Sequence, residues 1–235
     1  MAARSGTIAR LGALLACLLA GGCARPRPAR LFHADQPLSQ GQYPAVLRTW
    51  TRSARLYRHL ENKLFFTATF HAPELRRAFA MTFPDLYGHG SKITRRELVE
   101  FSGAGDQAHT FFVAAFTPEL GWNDFERADS IWHMTLTGGQ GVAVASSEVI
   151  PVKVDANIQA VYPYISPFDR IYLVRFPLFD SRHRLVADTT CERLTLRIAS
   201  ALGVAQMHWD LDIGGPKPAP TPHPPWLGSD EVAPF

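Results

Sequence analysis

Too few cysteines are present for a disulfide framework: the 235 residues hold three, Cys17, Cys23 and Cys191. Long apolar runs are also missing. The stretch Leu11 to Ala20 offers ten nearly uninterrupted apolar positions, which as a helix would rise roughly 15 Å, about half of a bilayer's hydrocarbon core. It is too short to span. The common signatures of catalysis and cofactor binding are absent as well: there is no GxSxG elbow, HExxH, CxxC pair, P-loop or EF-hand loop. YGHGSK at 87–92 lacks the Gly-Lys-Ser order of a phosphate loop and reads as a glycine-rich helix exit. Nine histidines are scattered without a metal-ligand spacing. No catalytic residue, metal ligand or cofactor is therefore assigned.

What the amino terminus does contain is an address. Arg4 and Arg10 precede the apolar run with no acid beside them, and small residues follow it, which is the layout of a secretory signal. The exit reads Ala20-Gly21-Gly22-Cys23. This ending resembles the lipobox of bacterial lipoproteins. The resemblance implies cleavage after Gly22, a diacylglycerol on the Cys23 thiol and an acylated new amino terminus. Several buried acyl chains, at about 0.8 kcal/mol per CH₂, hold a protein to a membrane far better than one. In such lipoproteins an aspartate after the cysteine often marks inner-membrane retention, and here Ala24 follows. The implied location is the cell envelope, at the outer membrane facing the periplasm.

Loss of residues 1–22 changes two other arguments. The formal charge falls from +3 to +1 because Arg4 and Arg10 leave, so the basic balance is no nucleic-acid footprint and no nucleic-acid partner is expected. Cys17 leaves too and Cys23 carries lipid, which strands Cys191 without an intrachain partner. Beside an apolar, strand-like segment, Cys191 reads as a small buried hydrophobe.

Along the remaining chain, residues 23–44 hold the lipidated cysteine and a spacer with four prolines. Fully extended, residues 24–44 reach about 70 Å. At the other end, 214–235 carry seven prolines and read as a disordered, polyproline-II-prone tail. The 45–213 segment between them is dominated by alternation. Trp132, Met134 and Leu136 share one strand face; Leu194, Leu196 and Ile198 share another; Ala205, Met207, Trp209, Leu211 and Ile213 share a third. Further strands are expected at 63–70, 109–117, 141–154, 157–165 and 170–176, with Phe111 to Phe116 apolar on both faces as in a central strand. GGQG at 138–141 is the obvious hairpin turn. These features predict a mainly β fold, an antiparallel immunoglobulin-like β-sandwich with one to three short helices inserted.

Two of those helices are readable. In PELRRAFAMTF, Pro73 suits a first turn and Leu75, Phe79 and Phe83 form an apolar stripe. Thr94 to Glu97 is a capping-box pattern ahead of Leu98, Val99 and Phe101. The 46–60 segment fits helix or strand. A helix would align Val46, Trp50, Tyr57 and Leu60 opposite four arginines, while its β-branched and aromatic residues permit a strand.

Two loops carry the candidate ligand-binding residues. Trp122, Asn123, Asp124 and Asp129 lie between two expected strands, where a rigid sandwich often places function. Tyr162 and Tyr164, near Asp169 and Arg170, form the second group. The lipobox, the proline-rich spacer and the stretches WTRSARLY, FFVAAFTPELGWND and SIWHMTL together resemble bacterial envelope lipoproteins with an immunoglobulin-like domain. That resemblance brings no catalytic residue. It implies a membrane-anchored module of non-enzymatic character that binds an envelope protein partner or supports envelope assembly. A ligand-binding module for glycan, cell-wall material or peptide, using Trp122 and its polar neighbours, is the alternative. A hydrolase using Asp124 and Asp129 is a third reading, because glycosidases pair two carboxylates.

Overall fold

The computed structural model describes residues 41–83 and 108–211. The signal, Cys23, the spacer through residue 40, the 87–92 loop, the helix expected at 94–103, Ile213 and the tail lie outside the described residues. The described fold is mainly β and contains two antiparallel sheets. The five-stranded sheet combines β1 (Thr51–Arg58), β2 (Glu61–Phe70), β3 (Ala108–Phe116), β6 (Glu148–Val152) and β7 (Arg170–Pro177), in the order β1-β2-β3-β7-β6. The four-stranded sheet combines β4 (His133–Thr137), β5 (Ala143–Ala145), β8 (Arg193–Ser200) and β9 (Gly203–Asp210), in the order β5-β4-β8-β9. Helices α1 (Tyr43–Trp50), α2 (Pro73–Thr82) and α3 (Ala156–Val161) accompany them. Among the described residues, no helix is long and apolar enough to cross a membrane.

Period-two alternation gives each sheet one face for a shared core. Leu64, Phe66, Ala68 and Phe70 of β2 are buried beside Phe111, Val113 and Ala115 of β3. Leu194, Leu196, Ile198, Met207 and Trp209 are buried in the other sheet. The rings of Phe111 and Trp209 meet across the core at 5.4 Å. Each such side chain contributes on the order of 1.5–3 kcal/mol by leaving water. β3 occupies the centre of its sheet, as its two apolar faces require. Along one side of the fold, side chains join the α1–β1 junction to β9: Trp209 Nε1 donates to the Trp50 carbonyl at 2.9 Å, and Arg52 Nε donates to the His208 carbonyl at 2.9 Å. The His208 carbonyl on the edge strand β9 is thus satisfied without a ladder.

Three segments differ from the sequence expectation. The 46–60 region is neither one helix nor one strand. α1 starts at Tyr43, with Pro44 in its first turn, buries Val46, Leu47 and Trp50, and then gives way to β1 at Thr51. Thr51 marks the switch, with an extended backbone and a hydroxyl donating to the Leu47 carbonyl at 2.7 Å. Tyr43 and Pro44 consequently belong to the fold and not to the spacer. The single strand expected at 141–154 turns a corner at Ser146 and Ser147, whose amides bond to Met134 in one sheet and Arg175 in the other. Its two halves are β5 and β6 in different sheets. Finally, 157–165 contains α3 and a turn in place of a strand. Asp155 caps that helix by accepting the Ile158 amide at 2.8 Å, and the buried pair is Ile158 with Val161, a helical spacing.

The helix expected from PELRRAFAMTF is α2, with Leu75 and Phe79 buried as predicted. It covers the Phe70 end of the sheet together with α1: Trp50 Nε1 donates to Glu74 at 2.8 Å, and Tyr43 meets Phe83 edge-on at 5.1 Å. GGQG forms the β4–β5 hairpin turn, with Gly138 N–H donating to Val142 and Thr137 paired with Ala143. Cys191 is fully buried and its thiol donates to the Arg193 carbonyl at 3.3 Å. Burial raises its pKa, which disfavours the reactive thiolate.

Candidate functional site

The loop from β3 to β4 is a plug between the two sheets. Asn123 holds its base: Nδ2 donates to the Ala115 carbonyl at 2.9 Å, while the Tyr172 hydroxyl lies 3.1 Å from Oδ1 and 3.0 Å from the Asn123 carbonyl. Arg170 Nη1 donates to the same carbonyl. The buried amide is thereby satisfied, as a polar group in a core must be. Phe125 then enters the core, stacked on Trp132 with ring centres 5.5 Å apart and flanked by Phe66 and Tyr172. Trp132 Nε1 donates to the Trp122 carbonyl at 2.7 Å. The Tyr172 hydroxyl is pushed up in pKa, chiefly by burial, and stays a donor.

The two carboxylates considered for hydrolysis have separate local partners. Asp124 accepts from Ser130 Oγ at 2.9 Å. Asp129 is held by Arg127 through two bonds of 2.9 and 3.0 Å on the exposed surface. The Arg127 guanidinium draws the Asp129 carboxyl below its usual range, so it is a charged partner and no proton donor. Trp122 is half-buried, with the Lys63 ammonium 5.9 Å from its ring centre. Among the described residues, no group of three or more His, Cys, Asp or Glu is placed to hold a metal ion.

Tyr162 and Tyr164 lie on the other side of the five-stranded sheet. Tyr172 pairs with Val113 and shares its inward face, whereas Tyr162 stacks on the neighbouring Phe112 at 3.7 Å. The Tyr162 hydroxyl hydrogen-bonds to His71 Nε2 at 2.9 Å. Tyr164 reaches Thr69 Oγ1 at 2.7 Å, and Thr69 in turn reaches Thr51 Oγ1 at 2.7 Å. Because Thr51 donates to Leu47, proton counting orders this chain as Tyr164 to Thr69 to Thr51 to the Leu47 carbonyl. Burial raises the Tyr164 pKa. The six candidate residues therefore line no common concavity: the sheet stands between the two groups, Asn123 and Tyr164 bond to its strands, and Asp124 and Asp129 bond within their own loop. Arg170, grouped with the tyrosines in sequence, joins Asn123 instead.

A different constellation forms at the end of the sheet remote from α2. There the outward face of β1, β2 and β3 carries a connected, partly exposed row. Arg55 lies 5.3 Å over the Phe65 ring, Phe65 meets Phe116 at 5.9 Å, and Phe116 meets Phe168 at 6.2 Å. Phe168 is 74% exposed. Sequence reasoning passed over this row because Phe65 and Phe116 sit in runs that read as core. The available signal was an aromatic on the second face of strands whose first face already supplied the core. The chain matches no protein-family model, and no curated protein or solved structure is significantly similar to it.

Proposed function

We propose that the chain is a lipid-anchored cell-envelope lipoprotein, held through Cys23 at the outer membrane facing the periplasm, whose β domain is a non-catalytic module that docks an envelope protein. The observation that carries the docking role is the Arg55, Phe65, Phe116, Phe168 row. Aromatic and arginine side chains are the residues that concentrate binding energy at protein interfaces. The polar side chains of the two candidate loops support the same reading, because Asn123, Asp124, Asp129, Tyr162 and Tyr164 are engaged within the fold. An immunoglobulin-like relationship belongs to this proposal. It is supported by two antiparallel sheets sharing one core, with crossings from β3 to β4, β5 to β6 and β7 to β8. The distinguishing feature is β3, which stays in the first sheet where an immunoglobulin domain sends its third strand across.

A photo-crosslinking residue placed at Phe168 in cells tests the docking surface. One discrete protein adduct is expected from that position and none from Gln206, which is exposed on the polar face of the four-stranded sheet. No adduct at Phe168, or equal adducts at both positions, would remove the row as an interface.

A further inference from the structure

The β1–β2 hairpin turns through two residues, His59 and Leu60, between the paired Arg58 and Glu61. Both have positive φ, 51° and 66°, the left-handed pair that two-residue turns ordinarily fill with asparagine and glycine. Leucine there is unfavourable for the backbone, and the residue is fully exposed. An apolar residue held at a left-handed position in full contact with water has no burial to offset that cost. The hairpin base, by contrast, is fixed. Leu56 Cδ1 fits over Gly203, where a Cβ would stand 2.8 Å away, and Arg58 Nη1 donates to the Ala201 carbonyl at 3.1 Å. The tip is thus projected on a rigid support.

Other apolar side chains surround this end. Tyr57 is 54% exposed on the same hairpin, and Leu120 is 77% exposed just after β3, whose last residue pairs with Phe65 of the hairpin. Cations border the hairpin side: Arg55 and Arg58 have no carboxylate partner among the described residues, while Glu61 is taken up by Lys63. Glu119 flanks Leu120, so the cationic edge belongs to the hairpin. An apolar tip with the Arg58 guanidinium just behind it matches the order of acyl chain and phosphate in a phospholipid surface.

We propose that Leu60 inserts to the headgroup–acyl boundary of a bilayer and that Arg58 behind it meets the phosphates, seating the domain on the membrane. The proposal rests on the Cys23 anchor for bringing that membrane near: residues 24–40 reach at most about 60 Å, enough for tip and anchor to share one bilayer. The docking row beside it remains free to face sideways.

The test uses the chain from residue 23 onward with Cys23→Ser, which has neither an acyl group nor the apolar signal segment, in flotation with vesicles of phosphatidylcholine plus phosphatidylglycerol and with vesicles of phosphatidylcholine alone. Binding to the mixed vesicles is expected, weaker on the neutral ones. Adding Leu60→Asn is expected to lower the partition about tenfold, the loss of one inserted leucine side chain. Asparagine accepts the left-handed backbone better than leucine, so thermal unfolding of that variant should move up or stay unchanged. A binding defect in a chain no less stable than its parent excludes misfolding. Absence of binding to either vesicle, or equal partition with and without Leu60→Asn, overturns the proposal. So does salt-sensitive binding that ignores Leu60. If Leu60→Asn floats like its parent yet loses the Phe168 adduct, the tip is a protein contact. None of these outcomes bears on acylation of the unsubstituted chain, which is read separately.

Discussion

The Gly138→Ala chain is expected to lose about 2–4 kcal/mol of folding stability in chemical denaturation. A Cβ at this position would stand 1.6 Å from the Val186 carbonyl oxygen and 3.1 Å from its Cγ1. A backbone oxygen cannot be rotated away, so the whole segment over the β4–β5 turn must lift. That segment carries Val186, which is fully buried, and its carbonyl accepts the Gly139 amide at 2.9 Å. Exposing one valine removes on the order of 1.5–3 kcal/mol, and losing one net hydrogen bond removes about 0.5–1.5 kcal/mol. Gly121→Ala is the control, because a Cβ there meets only the Glu119 carboxylate at 3.7 Å. Equal stability of the two variants would mean that the Val186 segment does not pack on the turn.

A second large effect should appear on acidification. Burial pushes the His109 pKa down to about 4, with its ring 5.9 Å from that of Phe70 and its Nε2 without a hydrogen-bond partner among the described residues. The unfolded chain takes up its proton near pH 6.5, whereas the folded chain resists until about pH 4. Between these values the unfolded state binds more protons, so stability falls as the pH falls. The loss should approach about 3 kcal/mol by pH 4 and level off below it. Asp180 and Asp188 have pKa values drawn below 3.8 by their hydrogen bonds, and their contribution is lost only under more acidic conditions. His109→Phe should therefore flatten the stability profile between pH 6.5 and 4. An unchanged slope in that variant would assign the acid sensitivity elsewhere.

The parts of the fold legible in sequence were those with an unbroken local period. Met134 with Leu136, Leu194 with Leu196 and Ile198, and Ala205 with Met207 and Trp209 all point inward as alternation requires. Pro73 and the Leu75–Phe79 spacing likewise located α2. Legibility failed where the period changed within a few residues. At Thr51 a helix becomes a strand in one step, so a window over 46–60 averages two structures. At Ser146 and Ser147 a continuous apolar alternation conceals a transfer between sheets. In α3, six residues are too few for a helical period to stand out, and the Asp155 cap was the available clue.

The candidate site was less legible because its meaning lies in distant pairs. Asn123 is unremarkable in a loop until Tyr172, 49 residues onward, delivers its hydroxyl to it. Tyr162 and Tyr164 are near Arg170 in sequence, yet the sheet separates them from the groups Arg170 and Tyr172 serve. Phe65, Phe116 and Phe168 become one row only when β2 and β3 pair and the turn before β7 folds over them. Loop composition pointed to polar recognition, yet Asn123, Tyr162 and Tyr164 are used inside the fold. Phe168, Leu60 and Leu120 are among the large apolar side chains it leaves outside.

The proposed anchor at Cys23 would govern where those surfaces act, and the mass of the amino-terminal peptide of the mature protein tests it most directly. The account predicts that this peptide begins at Cys23 and carries a thioether-linked diacylglycerol together with an amide-linked acyl chain. A mature chain with an unmodified Cys23, or one beginning at another residue, would contradict it.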